Sequence, residues 1–472
     1  MQRLTGMDAS FLYMETPTMP MHVSGTYIYD PRSAPDGYGF DEIKAEVERR
    51  LHLLPPYRRR LVEIPFQLHH PLWIEDPDFD LDYHLRRAAL PSPGGREELA
   101  ELAAEIHSRP MDRTKPLWDM HIVEGLEDGL MAVIARTHHA AIDGASGVDI
   151  TVNLLDIAPE PAPVAPPEVP WKPDRIPTDA ELVAFALQSL ARQPISAAKA
   201  VRRSVETALA IRRRNREPDV NPPPAPFAAP RTSINRAITP RRSFGMADLS
   251  LEDVKTVRKG LGGTVNDVIL AVCAGALRRW FDDRGESLDK PLVAMCPISI
   301  RTEDQRGAMG NQVSSMLTSL ATDVDDPVER LRVIQDGTKH AKEQAGAIGA
   351  EAMTQWAELA APAVAARAAR LYSRTRMASR HRPIFNVTIS NVPGPGFPLY
   401  MAGAQLQAWY PMGPINDGGG LNMTVMSYLG TIHFGLVACP DVVPEVQTLA
   451  DHLHTSLEEL LKAAKAETAG SD

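Results

Sequence analysis

Residues 130–135 form a short apolar run of branched and small side chains, and polar residues follow it at once: "ARTHHAAIDGASG". A run this short and this apolar reads as a buried strand. Asp143-Gly144 interrupts it, and Val148, Leu154 and Leu155 then return at helical spacing. The pattern predicts strand, tight turn, helix, with His138 and His139 at the strand's C-terminal end. A second helical pattern lies at Leu182, Val183, Phe185, Ala186 and Leu190, and is broken near Pro194. "APEPAPVAPPEVPWKPDRIP" precedes it and "EPDVNPPPAPFAAP" follows. Proline this dense forbids regular helix or sheet. The chain therefore divides into a half over 1–160, a crossover over 161–230 and a half over 231–472. It shows no internal repeat.

The length of 472 residues fits two domains. At 44% hydrophobic and 23% charged the composition is that of a folded chain. No stretch reaches the roughly 18 uninterrupted apolar residues of a membrane span. The N-terminus lacks a basic region followed by an apolar core, so it does not read as a signal peptide. Cys273, Cys296 and Cys439 stand far apart, as in a reducing cytoplasm, and form neither a disulfide framework nor a metal pattern. The net charge of −10 argues against nucleic-acid binding. The crossover departs from this balance: Lys199, Arg202, Arg203, Arg212, Arg213, Arg214 and Arg216 make it strongly basic. Such a segment lies on anionic lipid, meets the phosphates of a ligand, or bridges the two halves as a solvated helix.

Imidazole has an ordinary pKa of about 6.5, suited to proton abstraction near neutrality. Side chains alternate along a strand, so His138 and His139 are expected on opposite faces, with one of them in a cleft. That divergence also suits metal chelation poorly. Asp143 can fix the turn, and Gly144 lets it bend. There is no Gly-x-Ser-x-Gly elbow and no cysteine beside the histidines, so no covalent nucleophile is expected. The bland reading is a half-buried, hydrogen-bonded histidine at a strand end.

The complete His138-His139-Ala140-Ala141-Ile142-Asp143-Gly144 resembles the HHxxxDG acyltransferases. Further blocks narrow the resemblance to the bacterial wax ester synthase/diacylglycerol acyltransferase family. These are "MDASFLYMETPTMPMHV", "KPLWDMHIVEGL", "GGTVNDVILAVCAGALRRW", "CPISIRTEDQRGAMGN" and "NVTISNVPGPGFPLYMAGAQL". They occur in the family's order along most of the chain. Each also has a structural reading. Pro116-Leu117-Trp118 can be a core anchor, Asn266-Asp267 a helix N-cap, and Asn391-Val392-Pro393-Gly394-Pro395 a turn. Ser299 and Arg301 can brace the interface between the halves.

The resemblance implies an α/β (α+β) fold of two chloramphenicol-acetyltransferase-like subdomains with a tunnel between them, His139 at its centre. It implies transfer of a long-chain acyl group from coenzyme A to diacylglycerol. Acyl-CoA is then a substrate, and neither cofactor nor metal is expected. His139 would be the general base, with His138 and Asp143 in support. Asn266, Gly144, Ser299 and Arg301 would line the substrate or oxyanion site. The other acceptor is a fatty alcohol, giving a wax ester; a non-catalytic lipid-binding relative is the reading of another class. The expected location is the cytoplasm, with peripheral contact at the inner membrane or lipid droplets.

Overall fold

A computed structural model describes residues 1–35, 37–142, 153–161, 163–191, 223–299, 313–348 and 361–469, together with Arg202, Glu206 and Arg213. Its frame is two mixed six-stranded sheets. The first runs in the order Tyr400–Met401 (β12), Ala404–Met412 (β13), His22–Asp30 (β2), Met131–His138 (β7), Trp118–Glu124 (β6), Leu85–Ala89 (β5). The second runs Val313–Ser319 (β10), Val293–Ser299 (β9), Val387–Val392 (β11), Leu421–Tyr428 (β14), Thr431–Ala438 (β15), Ser243–Ser250 (β8). A small third sheet joins Gln2–Arg3 (β1), Leu72–Glu75 (β4) and Arg59–Val62 (β3). The longer helices are Gly6–Met14 (α1), Phe40–Arg50 (α2), Arg96–Ser108 (α3), Asp179–Leu190 (α4), Leu251–Leu261 (α5), Val265–Asp283 (α6), Pro327–Ile348 (α7), Pro362–Arg374 (α8) and Val446–Ala469 (α9).

The halves are less separate than their order along the chain suggests. β12 and β13 belong to the span 231–472, yet β13 pairs antiparallel with β2 and completes the first sheet. The two sheets meet where β13 packs on β14 and β15. At that point a Cβ on Gly435 would fall 1.8 Å from the Pro411 carbonyl oxygen, so only glycine lets the strands approach so closely. A polar network also joins the halves: Arg96 of α3 reaches Asp248 of β8 at 2.5 Å and the Tyr410 hydroxyl of β13 at 2.8 Å. Tyr410 donates to Asp248 at 2.8 Å.

The largest core packs α6 and α9 on the second sheet and reaches Leu99 and Ala103 of α3. α6 is buried almost all round, as its near-continuous apolar sequence requires. Its start is a capping box: Thr264 accepts from the Asp267 N–H at 3.2 Å, and Asp267 accepts from the Thr264 N–H at 2.8 Å. Thr264, not the Asn266-Asp267 pair, is thus the N-cap. Among the described residues no single helix is long and apolar enough to cross a membrane.

Candidate active site

The predicted strand is present and longer than the apolar run. β7 continues through Arg136 and Thr137 and ends at His138; the turn opens at His139. Alternation along a strand therefore governs His138 but not His139. Arg136 explains why the polar stretch stays in the sheet. Its buried guanidinium holds Asp119 of β6 at 2.8 and 2.5 Å and donates to the carbonyls of Ile106 and Arg109 at the end of α3. Burial alone would raise the Asp119 carboxyl; bonds from His121 and Arg136 outweigh it and hold that group well below the usual carboxylate range.

His138 is 1% exposed. Its N–H donates to Leu117 O at 2.9 Å, and its carbonyl accepts from Ala141 at 2.8 Å. Nδ1 accepts the Ala140 N–H at 3.0 Å. In the neutral ring the proton must then sit on Nε2, which faces Glu15 Oε1 at 3.6 Å. Glu15 follows α1 and is gripped by Arg113 at 2.5 and 3.0 Å. Burial pushes the Glu15 carboxyl up, but His138 and Arg113 prevail and bring it down to about 2.

His139 is half-buried and lies flat on Phe11 of α1, ring centres 3.9 Å apart and planes 10° from parallel. Its N–H donates to Met21 O at 2.8 Å, extending the β2–β7 ladder by one residue. One short helix and the residue after it thus touch both histidines, Phe11 stacking on one and Glu15 facing the other. Phe11 and Glu15 are four apart, on one face of a helix. That spacing inside "MDASFLYME" was the available signal; Arg113 had none.

Behind the strand lie two more buried histidines. His22, opposite His138 across the ladder, donates through Nε2 to His107 O at 2.7 Å, and His107 Nδ1 meets Ser24 Oγ at 2.7 Å. Burial first, then Arg242 and Arg136 nearby, push His107 down to about 3; burial, with His107 and Arg136, pushes His22 well down as well. Both rings are neutral in the fold. A group whose folded pKa lies below its unfolded value of 6.5 lends stability that is present above 6.5 and lost as pH falls through the folded value. His107 alone should therefore cost about 2 kcal/mol between pH 7.5 and 5. Urea midpoints at the two pH values measure this, and His107→Gln should shrink the difference. An equal difference in the variant would assign the acid sensitivity elsewhere.

Trp118 is a core anchor, as one reading of the sequence had it. It lies between the rings of Tyr57 and His84 at 4.2 and 4.4 Å, and its Nε1 donates to Tyr57 O at 2.8 Å. Asn266 is the second residue of α6 and half-buried; its Oδ1 accepts from Asn391 Nδ2 at 3.4 Å. The structure so joins two sequence blocks; against the turn reading of 391–395, Asn391 and Val392 are the last residues of β11, and the Asn391 side chain holds Asn266. Asp267 does not face outward: Thr338 Oγ1 donates to it at 2.6 Å. Ser299 closes β9 opposite Val313. Asp143, Gly144 and Arg301 lie outside the described residues, as do Lys199, Arg203, Arg212, Arg214 and Arg216 of the crossover.

A cavity of about 350 Å³ is lined by Leu12, Glu15, His69, Arg113, Ala366 and Arg370 among others; it reaches the histidines only through Glu15, and neither His138 nor His139 lines it. Among the described residues no group of three His, Cys, Asp or Glu side chains could hold a metal ion. The three cysteines are buried, and burial pushes the Cys273 and Cys296 thiols far up.

Comparison with known proteins agrees along the chain. Residues 4–269 match the wax ester synthase/diacylglycerol acyltransferase catalytic domain, and 309–461 match the WS/DGAT C-terminal domain. A putative diacylglycerol O-acyltransferase of Mycobacterium tuberculosis is 35% identical over 100% of this chain and 92% of its own. A probable diacylglycerol O-acyltransferase of the same species is 36% identical over 97% and 98%. The solved wax ester synthase/diacylglycerol acyltransferase of Marinobacter aquaeolei superposes with a TM-score of 0.69 at 31% identity, covering 98% of this chain and 100% of that one. A starter condensation domain of rhizomide synthetase, 13% identical, shares the fold with a TM-score of 0.57 over 98% and 94%.

Proposed function

Since the chain belongs to the wax ester synthase/diacylglycerol acyltransferase family and is an acyltransferase, we propose that it moves a long-chain acyl group from coenzyme A to diacylglycerol, with His139 as general base. The observation that carries the role is the contrast between the two histidines. His138 is buried and spends Nδ1 on a backbone N–H. His139 is half-exposed, at the turn, with its ring plane set by Phe11.

The steps follow. His139 takes the proton of the acceptor hydroxyl as the oxygen attacks the thioester carbonyl. The tetrahedral oxyanion collapses, the C–S bond breaks, and His139 returns the proton to the thiolate. One base supplies about 10²–10⁴-fold, so positioning and an oxyanion donor must supply the rest. Asn266, held by Asn391, is the candidate donor. Asp143 and Gly144 support His139, and Ser299 and Arg301 serve the substrate, as the family motifs imply. The reacting groups meet in a tunnel between the halves. No cofactor enters the chemistry. The protein works in the cytoplasm, in peripheral contact with the inner membrane or lipid droplets.

Wax ester formation is the second reading, favoured by the 31% identity to a protein named for both activities. An acceptor panel with radiolabelled palmitoyl-CoA separates the two. Triacylglycerol from diacylglycerol supports the first reading, and label in hexadecyl palmitate alone supports the second. Hydrolysis without any ester would refute both.

A further inference from the structure

α8 has two faces of opposite character. Pro362 and Ala366 are buried, Ala366 in a small core shared with Ala9 and Leu12 of α1. On the far side Val364 and Leu371 stand 65% and 62% exposed. At 3.6 residues per turn, positions 364, 368 and 371 form one apolar stripe. Arg367 and Arg374 flank it, Arg370 lies toward the cavity, and Arg376, Arg380 and Arg382 follow, all exposed. Among the described residues none of these six pairs with a carboxylate. No Asp or Glu occurs between Glu358 and Asp417, in a chain of net charge −10.

A second exposed apolar element packs against α8. The turn Pro65–Gln67 packs against α8 and lines the same cavity. Phe66 there has φ 58° and is 87% exposed, and Gln67 has φ 52°. A bulky aromatic in left-handed backbone, out in water, is unfavourable on both counts. α4 packs on the same turn through Leu182 and Ala186, with Leu187 exposed beyond it.

We propose that the outer face of α8, with Phe66, docks the protein on an anionic lipid surface. Phe66, Val364 and Leu371 enter the acyl boundary, and the arginines meet lipid phosphates, as basic amphipathic helices do. Uncompensated positive charge within an acidic protein selects an anionic bilayer over a neutral partner. This surface is distinct from the basic crossover, and the assignment holds whichever alcohol is the acceptor.

The test is sedimentation of the full-length protein with phosphatidylcholine vesicles, with and without phosphatidylglycerol. Binding should require the anionic lipid and weaken as salt rises. Arg367→Gln with Arg374→Gln should lower partitioning about 25-fold, about fivefold per charge. Phe66→Ser with Leu371→Ser should lower it by about a hundredfold or more. Both variants should keep the thermal midpoint, the turnover of a short soluble alcohol and the KM for acyl-CoA. Unchanged partitioning in both variants overturns the proposal. So does a raised KM for acyl-CoA with partitioning intact, which puts the arginines at the CoA phosphates. Loss of binding only when Arg212, Arg213 and Arg214 become Gln would move the docking site to the crossover.

Discussion

His139→Ala should leave a folded protein that transfers acyl groups at least 10²–10⁴-fold more slowly, roughly the share one general base supplies. The structural cost is small. The substitution loses a ring stack worth about 0.5–1.5 kcal/mol, while the His139 N–H bond to Met21 survives because it is backbone. His138→Ala should show the opposite balance. It empties a site 1% exposed, leaves the Ala140 N–H without its acceptor and takes from Glu15 a partner that holds its carboxyl low. Stability should fall more than turnover. Thiol release from palmitoyl-CoA with acceptor present, alongside urea midpoints, separates the two profiles. Wild-type turnover in the His139 variant would remove that ring from the mechanism.

Trp118→Ala should cost about 3–5 kcal/mol, the range for an aromatic removed from a packed core. That is a large part of a stability of about 5–15 kcal/mol. Two stacked rings lose their shared partner, and Tyr57 O loses its donor. Activity should suffer as well. The residue before it supplies the carbonyl that binds the His138 N–H, and the residue after it clamps Arg136. Trp118→Phe keeps much of the stack and should lose less than half as much. A urea midpoint shift at constant slope measures it; a shift within about 0.5 kcal/mol of zero would contradict the anchoring role.

The sequence showed β7, its closing histidines and the core role of Trp118 because each is written locally, in an apolar run or a large ring. The partners of the histidines were not local. Phe11, Glu15 and Arg113 reach the site only when α1 and the loop after α3 fold over β7. Asn266 could be named from its motif, but its bond to Asn391 depends on where β11 lies in the second sheet. The exchange of β12 and β13 into the first sheet left no mark in the pattern either, since a strand reads the same whichever sheet it joins.

That exchange also sets an order of events during synthesis. The strand that covers the free edge of β2 is not made until Met412 has left the ribosome, long after β2, β6 and β7. Until then the growing chain carries an open edge of unpaired N–H and C=O groups beside apolar side chains, the geometry that invites pairing with another chain. The pairing of β2 with β13 has a large sequence separation, which slows folding. A fragment ending before Ala404 should therefore aggregate, and co-expressing the missing segment should rescue it in part. Nascent chains of this protein will need protection at one particular edge.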